Sequence, residues 1–327
     1  MRAKEGVSLG LLAAGTVART LARRAVRGPL RPSWTLRTEV AQSVMRAVLM
    51  RSKRESPQWL RDVQASLPAQ VPLSGEVTFE PLALGGVPCE ACVPRAARPE
   101  RTLLYLHGGG YVIGSVAGYR DLASRLAVAA NARVVSVDYR LAPEHHFPAQ
   151  QDDCLAVARA LLADGTRPEK LAIAGDSAGA ALSVATLCAL RDLGLPLPAA
   201  AVLICPWTEP FADGGSMVDH DPYDFGDRAL LVRWARDTAA PPDDPRFHLP
   251  NAKLTNLPPL LVQGGGAEIL FDQIHRFAEQ ARNAGVDVEL EIAPDMFHDF
   301  HLQASLLPEG AAALEAAGSF LRRRLPL

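Results

Sequence analysis

LAIAGDSAGAALSVATLCAL, residues 171–190, reads as an apolar strand (Leu171 to Ala174), a tight turn (Gly175-Asp176-Ser177-Ala178-Gly179) and a helix rich in Ala, Leu and Val. A serine between glycine-sized neighbours at a strand-to-helix junction fits the G-x-S-x-G elbow, in which small residues let the backbone turn sharply enough to expose the hydroxyl. Ser177 is therefore the leading nucleophile candidate. In a chain with 25 Gly the pattern also arises by chance, so its weight depends on what surrounds it.

What surrounds it is an alternation of strands and helices. Before the elbow come strands at Val77 to Leu82, Val87 to Val93, Thr102 to Leu106 and Arg133 to Val137, separated first by Gly85-Gly86 and then by a turn region at Pro94 to Pro99. The spacing then predicts a helix at Ala149 to Ala163, the elbow strand from Lys170, its helix to Leu193, and a strand at Ala200 to Cys205. After an insertion come a strand at Leu260 to Gln263, a helix at Phe271 to Ala284, a strand at Val288 to Ile292 and a last helix at Gly310 to Arg324. Alternation of this kind predicts an α/β fold with a mostly parallel sheet covered on both faces, and a site at the carboxyl ends of the strands. Residues 1 to about 70 read as helical, Arg37 to Met50 most clearly, punctuated by Pro57, Pro68 and Pro72. The segment 206–250 is too long for an ordinary connection and reads as a lid or substrate-binding wall.

A serine hydroxyl needs a base to take its proton, and the base needs a third group to hold its tautomer. In such a sheet the chain order is Ser, acid, His. Of the histidines after Ser177, His220 and His248 fall in the insertion and His275 within a helix. His298 follows the last strand, where a loop can swing an imidazole over the strand ends; it is the expected base, with His301 in reserve. Glu268, just after the preceding strand in Gly264-Gly265-Gly266-Ala267-Glu268, is the first choice of acid, and Asp272 the runner-up. Donors for a developing oxyanion are expected where Leu103 to Leu106 runs into His107-Gly108-Gly109-Gly110: the amides of Gly108 and Gly109, with that of Ala178.

These motifs together, His107-Gly108-Gly109-Gly110, Asp138-Tyr139-Arg140-Leu141-Ala142-Pro143-Glu144, Gly175 to Gly179 and Met296-Phe297-His298, resemble the hormone-sensitive lipase family of α/β-hydrolases, the bacterial family IV esterases. The resemblance spans about residues 75 to 325. It implies an α/β-hydrolase fold, with a core at 71–205 and 251–327 and a helical cap built from 1–70 and the 206–250 insertion. It also implies hydrolysis of short to medium acyl esters by Ser177, Glu268 and His298, with no cofactor and no metal, and it allows a homodimer through an edge of the sheet. The Asp138 to Glu144 run is expected to buttress the site. Many relatives carry Asp where this chain has Glu268, and Gly where it has Ala180. Trp34, Phe211, Tyr223 and Phe225 are the aromatic candidates for the substrate-binding lining.

Composition fits this reading. With 48% hydrophobic residues, 21% charged residues and a net charge of -2, nothing points to nucleic acid, and 327 residues can bury about three quarters of the unfolded surface without disulfides. Five scattered cysteines make no disulfide framework. Cys89 and Cys92 have C-x-x-C spacing within a strand, where residues three apart face opposite ways. Residues 1–60 carry twelve Lys or Arg against three Asp or Glu, whereas 207–250 carry four against nine; opposite fields favour docking of the two as pieces of one lid. Val7, Leu11, Ala14, Ala18, Leu21 and Ala25 fall at helical spacing. This amphipathic helix is too short and too charged to span a bilayer, so membrane contact would be weak and interfacial, and a cytoplasmic location is expected. A non-catalytic receptor, a lyase or an amidase on the same fold are the rival readings.

Overall fold

A computed structural model describes residues 3–66, 73, 75–95 and 100–326. Pro68 and Pro72, and most of the turn expected at 94–99, lie outside the described residues. The chain opens with helices α1 (Ala3–Arg27), α2 (Leu36–Ser52) and α3 (Pro57–Ser66), then enters strands β1 (Val77–Leu84), β2 (Val87–Pro94) and β3 (Arg101–Leu106). Helix α4 (Arg120–Ala130) leads to β4 (Ala132–Val137), α5 (Ala149–Ala163), β5 (Leu171–Asp176), α6 (Ala178–Asp192) and β6 (Ala200–Ile204). The insertion holds a single helical turn, α7 (Ser216–Asp219), and α8 (Arg228–Asp237), before β7 (Leu260–Gly265), α9 (Phe271–Asn283), β8 (Val288–Ala293) and α10 (Pro308–Arg324).

The eight strands form one sheet in the order β1-β2-β4-β3-β5-β6-β7-β8, antiparallel at the β1-β2 and β2-β4 pairs and parallel elsewhere. The apolar runs of the central strands are buried on both faces, as a covered parallel sheet requires. In β3, Leu104 and Leu106 join a core with Val157 and Leu161 of α5, Val184 and Leu187 of α6 and Phe277 of α9. Leu103 and Tyr105 point the other way, into a core with Leu122 and Leu126 of α4 and Phe320 and Leu321 of α10. Cys89 belongs to the first core and Cys92 to the second, so their spacing brings no pair of thiols together.

Two helices were not foreseen in the sequence. The buried stripe of α4 is mostly alanine, with Leu122 and Leu126. Helix α8 starts where Asp227 accepts a hydrogen bond from the Leu230 amide, 2.8 Å, and its buried Leu230, Leu231, Trp234 and Ala235 lie at i, i+1, i+4 and i+5.

The two oppositely charged segments meet. Arg46 of α2 pairs with Asp221 at 3.0 Å and donates to the carbonyls of Asp221, Asp224 and Gly226. Lys53 pairs with Asp227 at 2.6 Å, and Arg233 of α8 donates back to the carbonyls of Ser52, Lys53 and Glu55. Helix α1 forms as expected, but among the described residues its apolar stripe faces outward: Leu11 is 70% exposed and Leu21 46%, while Thr16 and Thr20 are buried.

Candidate active site

The elbow is forced by close approach of backbones. A Cβ on Gly179 would strike the carbonyls of Leu106 and His107, and one on Gly175 the carbonyls of Gly179 and Leu106. Only glycine lets β3 and the start of α6 come this near. Between them Ser177 takes φ 51° and ψ -117°, a sparsely populated conformation held by its amide's bond to Ile204 O (2.8 Å) and by the Trp207 amide on its own carbonyl (3.1 Å). Strain of this kind costs on the order of 1–3 kcal/mol and persists only where the surroundings over-determine it.

His298, on the loop after β8, places Nε2 2.9 Å from Ser177 Oγ. Its Nδ1 lies 2.7 Å from Glu268 Oε2, and the other carboxylate oxygen of Glu268 accepts from the Gly265 amide at 3.1 Å. The longer glutamate arm is thus anchored at the glycine turn that precedes it. Asp272 does not approach the imidazole; its Oδ2 accepts from the Ser216 amide at 2.8 Å. His301 is buried with both ring nitrogens unpartnered among the described residues, and burial pushes it down to about 3, so it stays neutral. His220 bonds the Glu268 carbonyl at 3.0 Å, and His275 packs against Phe271.

The glycine run needs one correction. The Gly108 amide donates to Asp176 Oδ1 at 2.8 Å, so it is not free for a substrate. Asp176 is fully buried and also accepts from the hydroxyls of Tyr105 and Tyr119; a Cβ on Gly108 would strike it. Gly108 is therefore a strut of the loop. The amides of Gly109, Gly110 and Ala178 have no acceptor among the described residues. Gly109 and Gly110 adopt φ 104° and 60°, which only glycine tolerates easily. His107 packs flat on Tyr139 (centroids 4.3 Å), whose hydroxyl donates to the His107 carbonyl. Burial holds His107 down to about 4. Arg140 chelates Asp153, and Glu144 pairs with Arg61 at 2.9 Å. This is how the Asp138 to Glu144 run braces the glycine loop.

Of the four aromatics expected to line a pocket, Phe225 lies 5.6 Å from the His298 ring. Trp34 is only 1% exposed; its Nε1 donates to the Asp295 carbonyl and its ring meets Phe297 edge-on. It is a clamp between the N-terminal segment and the base loop, not a pocket wall. Tyr223 lies under the Arg31 guanidinium, and Phe211 against Phe247. Trp234, unremarked in the sequence, packs where a Cβ on Gly110 would fall. Asp224 was also overlooked: buried in the insertion, it accepts from the amides of His298 (3.2 Å) and Ile269 (2.7 Å) and so joins the acid and base loops. Burial pushes its carboxyl up to about 6. Neither residue carries a motif; each is recruited through space.

The arrangement can move a proton from Ser177 to His298 and hold the resulting imidazolium through Glu268. A family model described as the α/β hydrolase fold matches residues 103–302. The chain is similar to an acetyl-hydrolase of Streptomyces hygroscopicus, 46% identical over 239 residues that cover 72% of this chain and 80% of that one. It is similar to an ethyl acetate hydrolase of Pseudomonas putida, 34% identical over 234 residues covering 68% and 73%. An esterase of the bacterial hormone-sensitive lipase family, known as a crystal structure, is 36% identical, covers 95% of this chain and 99% of its own, and superposes with a TM-score of 0.77.

Proposed function

The chain belongs to the α/β-hydrolase family, among the bacterial esterases of the hormone-sensitive lipase type, and is a serine ester hydrolase; from that premise we propose that Ser177 is its nucleophile, His298 the base and Glu268 the orienting acid. The observation that carries the assignment is the unbroken relay from Ser177 Oγ through His298 to Glu268, at 2.9 and 2.7 Å. Oγ attacks the ester carbonyl as its proton passes to Nε2. The tetrahedral oxyanion is held by the amides of Gly109, Gly110 and Ala178, the last at the N-terminus of α6, where the helix dipole adds to the field. Nε2 then protonates the leaving alkoxide. A water, deprotonated by His298, attacks the acyl-enzyme; Ser177 regains its proton and the carboxylic acid departs.

The acyl groups we infer are short to medium. Trp234, packed where a Cβ on Gly110 would fall and so beside the proposed oxyanion amides, supports this. So do the names of the acetyl-hydrolase and ethyl acetate hydrolase relatives. We assign the cap to residues 1–70 and 206–250 on the strength of the ion pairs that join them, and the hydrolase core to the rest. Hydrolysis of a p-nitrophenyl series from acetate to palmitate is expected to peak at short chains, and a fluorophosphonate is expected to leave its phosphonyl group on the Ser177 peptide, with loss of fluoride and the serine proton. Labelling elsewhere, or silence on every ester, would overturn the assignment. A receptor reading is not favoured by relatives that are hydrolases.

The outward apolar stripe of α1, with no acidic residue from Gly6 to Arg27 and with Arg19 and Arg27 exposed beside it, supports weak contact with an anionic lipid surface. Co-sedimentation with phosphatidylglycerol vesicles, weaker with phosphatidylcholine and lost in Leu11→Asp, is the expected result. No helix among the described residues is long and apolar enough to cross a membrane. The edge strand β8 is where we place a homodimer contact, and sedimentation equilibrium of the protein alone is expected to give twice the chain mass.

A further inference from the structure

A second carboxylate reaches the nitrogen of His298 that faces the nucleophile. Asp299 follows the base at φ 48° and ψ 35°, a left-handed conformation uncommon outside glycine, although Asp is one of the residues that tolerates it. That turn brings its Oδ2 within 3.2 Å of His298 Nε2, the same atom that stands 2.9 Å from Ser177 Oγ. Its Oδ1 is buried without a hydrogen-bond partner among the described residues, and its amide donates to Cys205 Sγ at 3.4 Å. A carboxylate taken out of water with one oxygen orphaned is costly as an anion unless a positive charge stands beside it. The imidazolium of His298 is the only such charge within ion-pairing distance among the described residues.

The geometry points to Asp299 as a positioning residue that competes with Ser177 for Nε2, so that His298 can accept the serine proton only after the His298–Asp299 pair has released the proton it holds to solvent. This rests on His298 being the base. Whether that proton sits on nitrogen or on the carboxyl, the pair titrates as one unit, and its loss frees the Nε2 lone pair. No bond is made or broken apart from that proton transfer. The consequence is an esterase whose kcat/KM climbs with pH along a limb above the ordinary histidine range.

The surroundings push the same way. Glu268 faces Nδ1 from the loop after β7, Asp224 faces the His298 backbone from the insertion, and Asp176 lies behind Asp299 at the end of β5. Cys205 at the end of β6 is a thiol kept neutral by burial, and His301 is neutral. No Lys or Arg among the described residues pairs with any of the four carboxyls. Burial alone would pull His298 down; the carboxylates of Asp299, Glu268 and Asp224 overcome it and push the imidazole up to about 10. Burial, with Asp176 nearby, raises the Asp299 carboxyl well above its usual range, against the pull of His298.

The test is the pH profile of kcat/KM for p-nitrophenyl butyrate in the wild type, Asp299→Asn and Asp299→Gly, the last because glycine suits the left-handed backbone and keeps the fold. In the wild type the acid limb is expected above the ordinary histidine value of about 6.5, and in both variants it should fall by about one pH unit or more, raising kcat/KM roughly tenfold on the limb. KM should hold. A residue that merely packs would lower the plateau and leave the limb in place, which would overturn the inference. The nitrogen resonances of His298, followed by NMR through the same titration, read the pair without turnover. An unchanged His298 titration in Asp299→Gly would sink the proposal even if the protein hydrolysed no ester, whereas an inactive wild type would sink only the functional reading.

Discussion

Ser177→Ala is expected to lower kcat/KM for p-nitrophenyl butyrate by about 10⁴-fold or more, leaving the residual acceleration that amides and binding supply without a nucleophile. The loss follows from chemistry, because among the described residues no other hydroxyl is hydrogen-bonded to His298 Nε2. The fold should survive. The positive φ of Ser177 is enforced by backbone bonds from its amide to Ile204 and from Trp207 to its carbonyl, and alanine makes both. The thermal midpoint should therefore move little while activity vanishes. Measured together, Tm and kcat/KM separate a dead nucleophile from a collapsed elbow. Retained activity with an unchanged Tm would remove Ser177 from the mechanism.

The second large effect is expected at the acid. Glu268→Gln should cost about 10³- to 10⁴-fold in kcat, with KM little changed, as when the orienting carboxylate of such a triad becomes an amide. A glutamine in that position can turn its NH2 toward Nδ1, which must then accept and place its proton on Nε2, where it blocks the serine. The Gly265 amide that now bonds Oε1 of Glu268 can hold such a glutamine in this orientation through its carbonyl oxygen. Asp272→Asn should change kcat no more than a few-fold, because Asp272 caps the Ser216 amide on the far side of the loop. If the two variants were equally impaired, or Asp272→Asn were the worse, the assignment of the acid would reverse.

The pairing of Glu268 with His298 shows how far local pattern can reach. A carboxylate after the seventh strand and an imidazole after the eighth were both legible, because strand periodicity places loop residues at one end of a parallel sheet. Their contact needed only the chain order that this topology dictates. The glycine loop shows where that reach ends. Three successive glycines look alike in sequence, and the choice of Gly108 as an oxyanion donor was wrong because a buried carboxylate 68 residues away takes its amide. The same holds for Trp34, which has the composition of a pocket lining but is consumed as a clamp on the Asp295 carbonyl, and for α1, whose helical period was plain while the side it turns to solvent was not.

By itself, then, the sequence determined the α/β architecture, the turn at Ser177, the chain order of the residues proposed as nucleophile, acid and base, and the attraction between a basic N-terminal segment and an acidic insertion. Each depends on periodicity, residue size or net charge, quantities carried by neighbours along the chain. Only the tertiary structure decided that the amides of Gly109, Gly110 and Ala178 keep no acceptor among the described residues, that Asp224 reaches the His298 amide across 74 residues, and that Asp299 lies on the Ser177 side of His298. Those are questions of which buried polar group finds which partner. A hydrogen bond is settled over about 3 Å in space, whatever the separation in sequence.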